Sequence, residues 1–392
     1  MELLTGLLKI KSESGAEQEA VAYMHEALKR AGADTELVPI PCDIIADAEY
    51  SDPVKGLDYT NRYNLCAQKT GTGGKTIAIN SHLDVVPPSP GQTDPYHPRL
   101  DEDGYIYARG ACDAKGQIAA MALVLKAACE LPKLKNSIVC HMVAEEELGG
   151  NGTLALLRAK PDFTADALIN MEPTDLALFT SIRGAVWFDM TFTGEAGHAG
   201  SAANTVSAMD KAIAAIALLK DYHARLYERS KDYGLFKGLN NPMPLTIGEF
   251  QSGVWPSMVP GSARITGLTG ILPNTTKAEV MKELHELFEK PENSWIGRGM
   301  SIHFPYRHNA VELPTGHPFA RGMMDAMAKC ALDPQPRAMT ASTDAIFYQE
   351  RGIPSLAFGP GKLADAHSRH ERIAVEDIIK AAEAIYLFAS EA

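Results

Sequence analysis

Hydrophobic positions along this chain follow two different periods, and the change from one to the other divides it. Between residues 3 and 32 the pattern is helical, with Val21, Met24 and Leu28 on one face and Gly32 at the end. The span from about 40 to 64 is irregular and carries Pro and Asp. Lys75 to Asn80 reads as a strand that runs into Ser81-His82-Leu83-Asp84-Val85-Val86-Pro87-Pro88. A loop rich in Pro and Gly reaches Pro98, and Gly110-Ala111-Cys112-Asp113-Ala114-Lys115-Gly116 leads into the next helix. That helix places Ile118, Met121, Ala122, Leu125 and Cys129 in register and must stop before Pro132. The apolar run Ser137 to Val143 predicts a buried strand, and Ala167 to Met171 a shorter one. Strands alternating with helices imply an α/β domain whose mostly parallel sheet is flanked by helices on both faces.

Near Arg183-Gly184 the period shortens to two. Phe188, Met190 and Phe192 alternate with Asp189, Thr191 and Thr193, as in a sheet with one covered face. A helix with Val206, Met209, Ile213 and Ile216 follows. Strand candidates at 245–250 and 262–268, a helix with Val280, Leu284 and Leu287, and a strand at 300–304 complete the order β-α-β-β-α-β, the split ferredoxin-like unit. The expectation is therefore a domain formed by 1–183 and 307–392, with 184–306 inserted as a small α+β domain. The outer domain resumes with a helix near 318–331. Its last strand, Pro354 to Phe358, runs into Gly359-Pro360-Gly361 and then His367.

Composition narrows the function classes. The 392 residues carry 37 Lys+Arg against 49 Asp+Glu, a net charge of −12, which disfavours nucleic-acid and anionic-membrane partners. No apolar segment has the length of a membrane span, and the first residues lack the basic start and apolar core of a signal peptide. The six cysteines are scattered, with no metal-binding pair spacing. Cys140 and Cys129 read as small core residues. A reduced, cytoplasmic protein is expected.

Chemistry gathers at one place in this pattern. The strand ending at Val143 delivers Ala144-Glu145-Glu146-Glu147-Leu148-Gly149-Gly150, three adjacent carboxylates at a strand tip. Ligands in open α/β sheets bind outside such carboxyl ends, and packed carboxylates repel unless a cation joins them. His82, Asp84, Asp113, Glu172 and His367 also fall at strand ends or in the loops that follow. Two imidazoles and several carboxylates, without a thiolate, form the ligand set of Zn²⁺ or a similar divalent ion in a hydrolytic site.

The motifs Ser81 to Pro87, Arg109 to Gly116, Glu145 to Gly150, and Gly359-Pro360-Gly361 with downstream Ala366-His367 resemble the aminoacylase / carboxypeptidase G family. That family includes acetylornithine deacetylase and succinyl-diaminopimelate desuccinylase. The resemblance implies a zinc-peptidase-like catalytic domain and an inserted lid through which a homodimer forms. It implies two Zn²⁺, with Co²⁺ or Mn²⁺ as substitutes. His82, Asp113 and Glu172 would hold one, and Asp113, Glu147 and His367 the other. By the same resemblance Glu146 is the general base, Asp84 orients His82 through its free ring N–H, and a cis peptide follows Asp113. His198, in Gly197-His198-Ala199, corresponds to the lid histidine that serves the partner's active site.

The pattern also departs from the family. Where many relatives have an arginine that binds the substrate carboxylate, this chain has Gly270. Arg183, Arg264, Arg307 and Arg337 are candidate replacements, and Asn204, Ser342 and Thr343 candidate pocket residues. The implied activity is removal of an N-acyl group from a small amine or amino acid. Alternatives are a dipeptidase or carboxypeptidase, a deformylase-type hydrolase of a non-amino-acid amine, or a metal-binding protein that has lost catalysis.

Overall fold

The computed structural model describes residues 1–131 and 133–391. Pro132 lies outside the described residues; the helix expected to stop before it spans Gly116–Glu130. Backbone contacts divide the chain into two compact units. The first holds Met1–Ile182, Val311–Ala338 and Thr343–Ala392; the second holds Arg183–Ala310 and Met339–Ser342. The second unit thus takes in 307–310 and 339–342, which the sequence pattern assigns to the outer domain. Arg307 and His308 pair with Val186 and Ala185, and Arg183 N donates to Met339 O at 2.9 Å, so ladder bonds hold both segments there.

In the first unit, four central strands run parallel. Ser137–Val143 lies beside Thr76–His82, then Ala167–Asn170, then Ser355–Ala357. Antiparallel strands extend both edges, Tyr63–Lys69 and Asp34–Pro39 on one side and Leu178–Ile182 and Val311–Glu312 on the other. On one face Ile77, Ile79, Ile138, Cys140, Met142, Ile169 and Leu356 join a core shared with the helices Gln18–Arg30, Gly116–Glu130, Pro318–Lys329 and Val375–Glu391. Burial on both faces explains why these strands read as largely apolar runs. Their parallel alignment brings the ends of three strands, and the loops after them, to one edge.

Residues 3–32, read as a single helical pattern, form two helices, Glu2–Leu8 and Gln18–Arg30. The break follows from short polar residues that bond elsewhere and from Gly15 at φ 97°. Ser12 Oγ donates to Leu83 O at 2.7 Å, and Ser14 Oγ donates to Asp84 Oδ2 at 2.8 Å.

The second unit contains an antiparallel sheet in the order Leu245–Ser252, Ser262–Ile271, Gly184–Thr193, Met300–His303, with Arg307–His308 beside the third. The helices Ala208–Glu228 and Lys277–Glu289 pack against it, which gives the β-α-β-β-α-β order. The first helix presents a different face from the one its large apolar residues suggest. Ser207 caps it by accepting from Asp210 N at 3.2 Å, so Val206 precedes the helix. Ala208, Ala212, Ala215, Leu219, Tyr222 and Leu226 are buried, while Val206 and Ile213 are exposed. Three alanines let the helix sit close to the sheet.

Candidate metal centre

His82 is the last residue of its strand and is fully buried. Its Nδ1 lies 3.0 Å from the backbone carbonyl of Asp84, which can only accept, so Nδ1 carries the proton. Nε2 is left facing Asp113 Oδ1 at 3.0 Å, two donor atoms turned toward one point. Asp113 sits in the sharply bent segment Ala111–Lys115, preceded by Gly110 at φ 79° and followed by a cis peptide to Ala114. A Cβ at Gly110 would lie 2.6 Å from Val85 Cγ1, so only glycine fits there. Glu371 anchors this bend. Its Oε1 accepts from the backbone N–H groups of Cys112 at 3.0 Å and Asp113 at 3.1 Å, and its Oε2 pairs with buried Arg109.

The second oxygen of Asp113, Oδ2, lies 3.3 Å from His367 Nε2, and Glu147 Oε1 lies 3.0 Å from the same nitrogen. Glu172, two residues past its strand, accepts from Asn170 Nδ2 at 2.9 Å. Two groups result, His82–Asp113–Glu172 and Asp113–Glu147–His367, each with donor atoms within 4.8 Å of one another. Asp113 belongs to both.

Asp84 differs from the expectation that its carboxylate takes the ring N–H of His82. Its Oδ1 is 3.4 Å from Nδ1, farther than its own carbonyl. The carboxylate instead accepts the backbone N–H of Glu146 at 3.1 Å and of Glu147 at 3.2 Å, with Ser14 on Oδ2. It therefore orients the triple-Glu turn. Glu145 adopts the left-handed region at φ 57° and is buried away from the ligand groups. It pairs with Arg62 and accepts from Tyr59 Oη at 2.8 Å, while Arg62 also donates to buried Glu17 at 2.8 Å. Anchoring Glu145 leaves Glu146 and Glu147 at the edge of the sheet.

Burial and mutual charge set the electrostatics of the two groups. Burial, reinforced by the neighbouring Glu172 charge, pushes the Glu146 carboxyl well above its ordinary value. Burial, with Asp113 nearby, does the same for Glu172. Burial and Asp113 also raise Glu147. Hydrogen bonds to Asp113 and Glu147 push His367 up to about 10. The lone pairs of these groups face one another, and a divalent ion among them would relieve the conflict. Carboxylate and imidazole donors suit zinc and similar ions. The residues present fit such a group.

The remaining candidates lie elsewhere. His198 belongs to the second unit, exposed on the short strand Gly197–His198, where Nδ1 accepts from Gly200 N at 3.1 Å. Arg264 is engaged, since its guanidinium makes two 2.8 Å bonds to Asp189. Arg337 pairs with Asp333 at 2.7 Å, and Arg307 donates to Phe304 O at 3.0 Å. Arg183 has no carboxylate partner among the described residues; it donates to Thr340 O at 2.9 Å and Gly184 O at 3.1 Å. It lies against Gly270, where a Cβ would fall 2.8 Å from Arg183 Cδ. Ser342 Oγ is 3.4 Å from His308 Nδ1, and buried Thr343 accepts from Ala345 N at 3.3 Å. The side chain of Asn204 lies outside the described residues. Sequence reasoning passed over Asn170, Ser14, Arg62 and Glu371. A polar residue inside an apolar strand was the available signal for Asn170.

The family model described as "Peptidase family M20/M25/M40" matches residues 78–391. The chain belongs to that family. Its members are metal-dependent hydrolases acting on amide bonds, and so is this enzyme. It is 27% identical to acetylornithine deacetylase of Myxococcus xanthus over 323 residues, which cover 81% of each chain. It is 26% identical to N-formyl-4-amino-5-aminomethyl-2-methylpyrimidine deformylase of Bacillus subtilis, covering 82% of this chain and 81% of that one. Among solved structures, a family M20 metallo-carboxypeptidase from Sulfolobus solfataricus superposes with a TM-score of 0.77 at 18% identity, covering 99% of this chain and 97% of that one. At that identity the likeness is one of fold.

Proposed function

We propose that this M20 enzyme hydrolyses the amide of small N-acyl amino acids with two divalent ions, zinc foremost. His82, Asp113 and Glu172 would hold one ion, and Asp113, Glu147 and His367 the other. The observation that carries this reading is the pair of ligand groups joined through Asp113, with Glu146 next to Glu147. Bound there, the ions supply Lewis-acid polarisation of the scissile carbonyl and acidify the attacking water. Glu146 accepts the proton of that water as its oxygen bonds to the acyl carbon. It returns the proton to the amine nitrogen as the C–N bond breaks. Asp84 holds the Glu146 backbone so that one carboxylate serves both transfers.

On this reading the lid histidine, His198, donates to the tetrahedral oxyanion of a partner subunit. The second unit has the exposed apolar residues that a homodimer interface would cover, among them Val206, Ile213, Phe250, Val254 and Trp255. Arg183 takes the part of the arginine absent at Gly270, because Gly270 leaves room for its side chain and, among the described residues, no carboxylate pairs with it. All six cysteines are unpaired, which suits a reducing, cytoplasmic setting.

The test is free-amine release from zinc- or cobalt-loaded protein. The panel holds N-acetyl, N-succinyl and N-formyl amino acids, free dipeptides, and the same acyl groups on amines lacking a carboxylate. Preference for carboxylate-bearing compounds, lost in Arg183→Met, is the expected result. Preference for carboxylate-free amines favours the second reading, a deformylase-type hydrolase, to which the glycine at 270 and the 26% identical deformylase relative point.

A further inference from the structure

The two faces of the central sheet differ sharply at one level. The core face carries Ile79, Cys140 and Ile169, whereas the opposite face carries Asn80, His141 and Asn170, each one residue further on, in one row. The register makes the row, because Asn80 stands opposite His141 on one side and Asn170 on the other. All three are at most 1% exposed. Burying them costs free energy unless each is hydrogen-bonded, and each is.

The bonds all point the same way. Tyr348, from the short helix Ala345–Gln349, donates its single hydroxyl proton to Asn80 Oδ1 at 3.0 Å. Its 2.7 Å contact with His141 Nδ1 is therefore one that it accepts, which places the ring proton on Nδ1. Asn80 Nδ2 donates to Asn170 Oδ1 at 2.9 Å, and Asn170 Nδ2 donates to Glu172 Oε1 at 2.9 Å. Four hydrogen bonds run head to tail and end on a carboxylate. Bonds aligned in this way polarise one another. Burial, with Lys160 nearby, pulls His141 down to about 3, so the ring is neutral at ordinary pH and holds one proton.

We propose that His141, Tyr348, Asn80 and Asn170 form a positioning relay that holds the Glu172 carboxyl group in one orientation, and so sets the affinity of the inner metal ion, the one His82, Asp113 and Glu172 would hold. The relay rests on the two-metal reading above. Asn170 acts directly on the ligand; the other three act through it and touch no ligand atom. A partner that fixes a ligating side chain typically changes metal affinity by about 10–100-fold.

The experiment is a zinc titration of metal-free protein against a chromophoric chelator, with visible spectra of the cobalt-loaded forms. Wild type should take up two ions per chain. Asn170→Leu should weaken one ion by about 10–100-fold and leave the other within about threefold. Tyr348→Phe keeps the ring but cuts the relay, and should weaken the same ion by a smaller factor and shift its cobalt spectrum. The double variant should bind no more weakly than Asn170→Leu alone. Two unchanged affinities and spectra in either folded variant, or penalties that add in full, would overturn the relay alone. Should Asn170→Leu fail to fold, Tyr348→Phe decides by itself. Wild type that takes up no ion would overturn the two-metal reading and the relay with it.

Discussion

The two halves of the metal centre use the same donor types, a histidine and a glutamate joined to Asp113, yet they are supported differently. The His82–Glu172 half stands at adjacent strand ends, and its residues are at most 5% exposed. Its geometry is fixed by strand register, by the Asp84 carbonyl on His82 and by Asn170 on Glu172. The His367–Glu147 half leans on a loop. His367 has a left-handed backbone at φ 57°, its side chain is 50% exposed, and a 2.6 Å bond from Ser89 Oγ to its carbonyl ties the loop down. Both halves can present lone pairs to a cation. Only the inner one is held by the sheet, so the inner ion should be retained and the outer one exchanged.

The strongest way to break this comparison is to remove what the halves share. Asp113→Ala should abolish uptake of both ions and reduce turnover to background, as measured by metal analysis of dialysed protein. Retention of one tightly bound ion would show that the halves are independent. Next in size is Glu146→Gln, which should lower kcat by about 10²–10⁴-fold while both ions stay bound; substantial residual activity would remove Glu146 from its role. His367→Ala should cost the outer ion alone, and a chelator titration of wild type should strip one ion well before the other. Simultaneous loss of both would erase the distinction.

Smaller effects concern recognition and pH. Arg183→Met should raise KM for carboxylate-bearing substrates by about 10–150-fold, the range of roughly 1.5–3 kcal/mol for a hydrogen bond to a charged group. Carboxylate-free amines should be unaffected. The inner half should also carry an acid liability that the outer loop lacks. His141 has its pKa lowered to about 3 in the folded state, against about 6.5 unfolded. Below about pH 6.5 the unfolded chain therefore takes up a proton that the folded chain refuses, and this contribution to stability declines down to about pH 3. Comparing Tm against pH for wild type and His141→Leu isolates the effect, and the variant should show a shallower acid limb.

Part of this was readable in the sequence and part was not, for physical reasons. Apolar runs ending at His82, Val143 and Met171 place the following polar residues at one sheet edge, because parallel strands in register must end together. The β-α-β-β-α-β order of the second unit followed from its period-two strands and its helices. Hydrogen-bond partners were less accessible. Asp84 serves the amides of Glu146 and Glu147, a choice fixed by how two loops meet. The exposed Val206 and Ile213 show propensity overridden by packing, since alanines allow the closer approach. Arg264 looked available until Asp189 appeared on the neighbouring strand. Asn80, His141 and Asn170 each sit singly in an otherwise largely apolar strand, and only register brings them into one row.

The most direct test of the central claim is to add zinc stepwise to metal-free protein while following both uptake and hydrolysis of an N-acyl amino acid. The account predicts two ions per chain of unequal affinity, with no turnover in their absence. Hydrolysis by metal-free protein, or saturation at a single ion with Asp113, Glu147 and His367 intact, would contradict it.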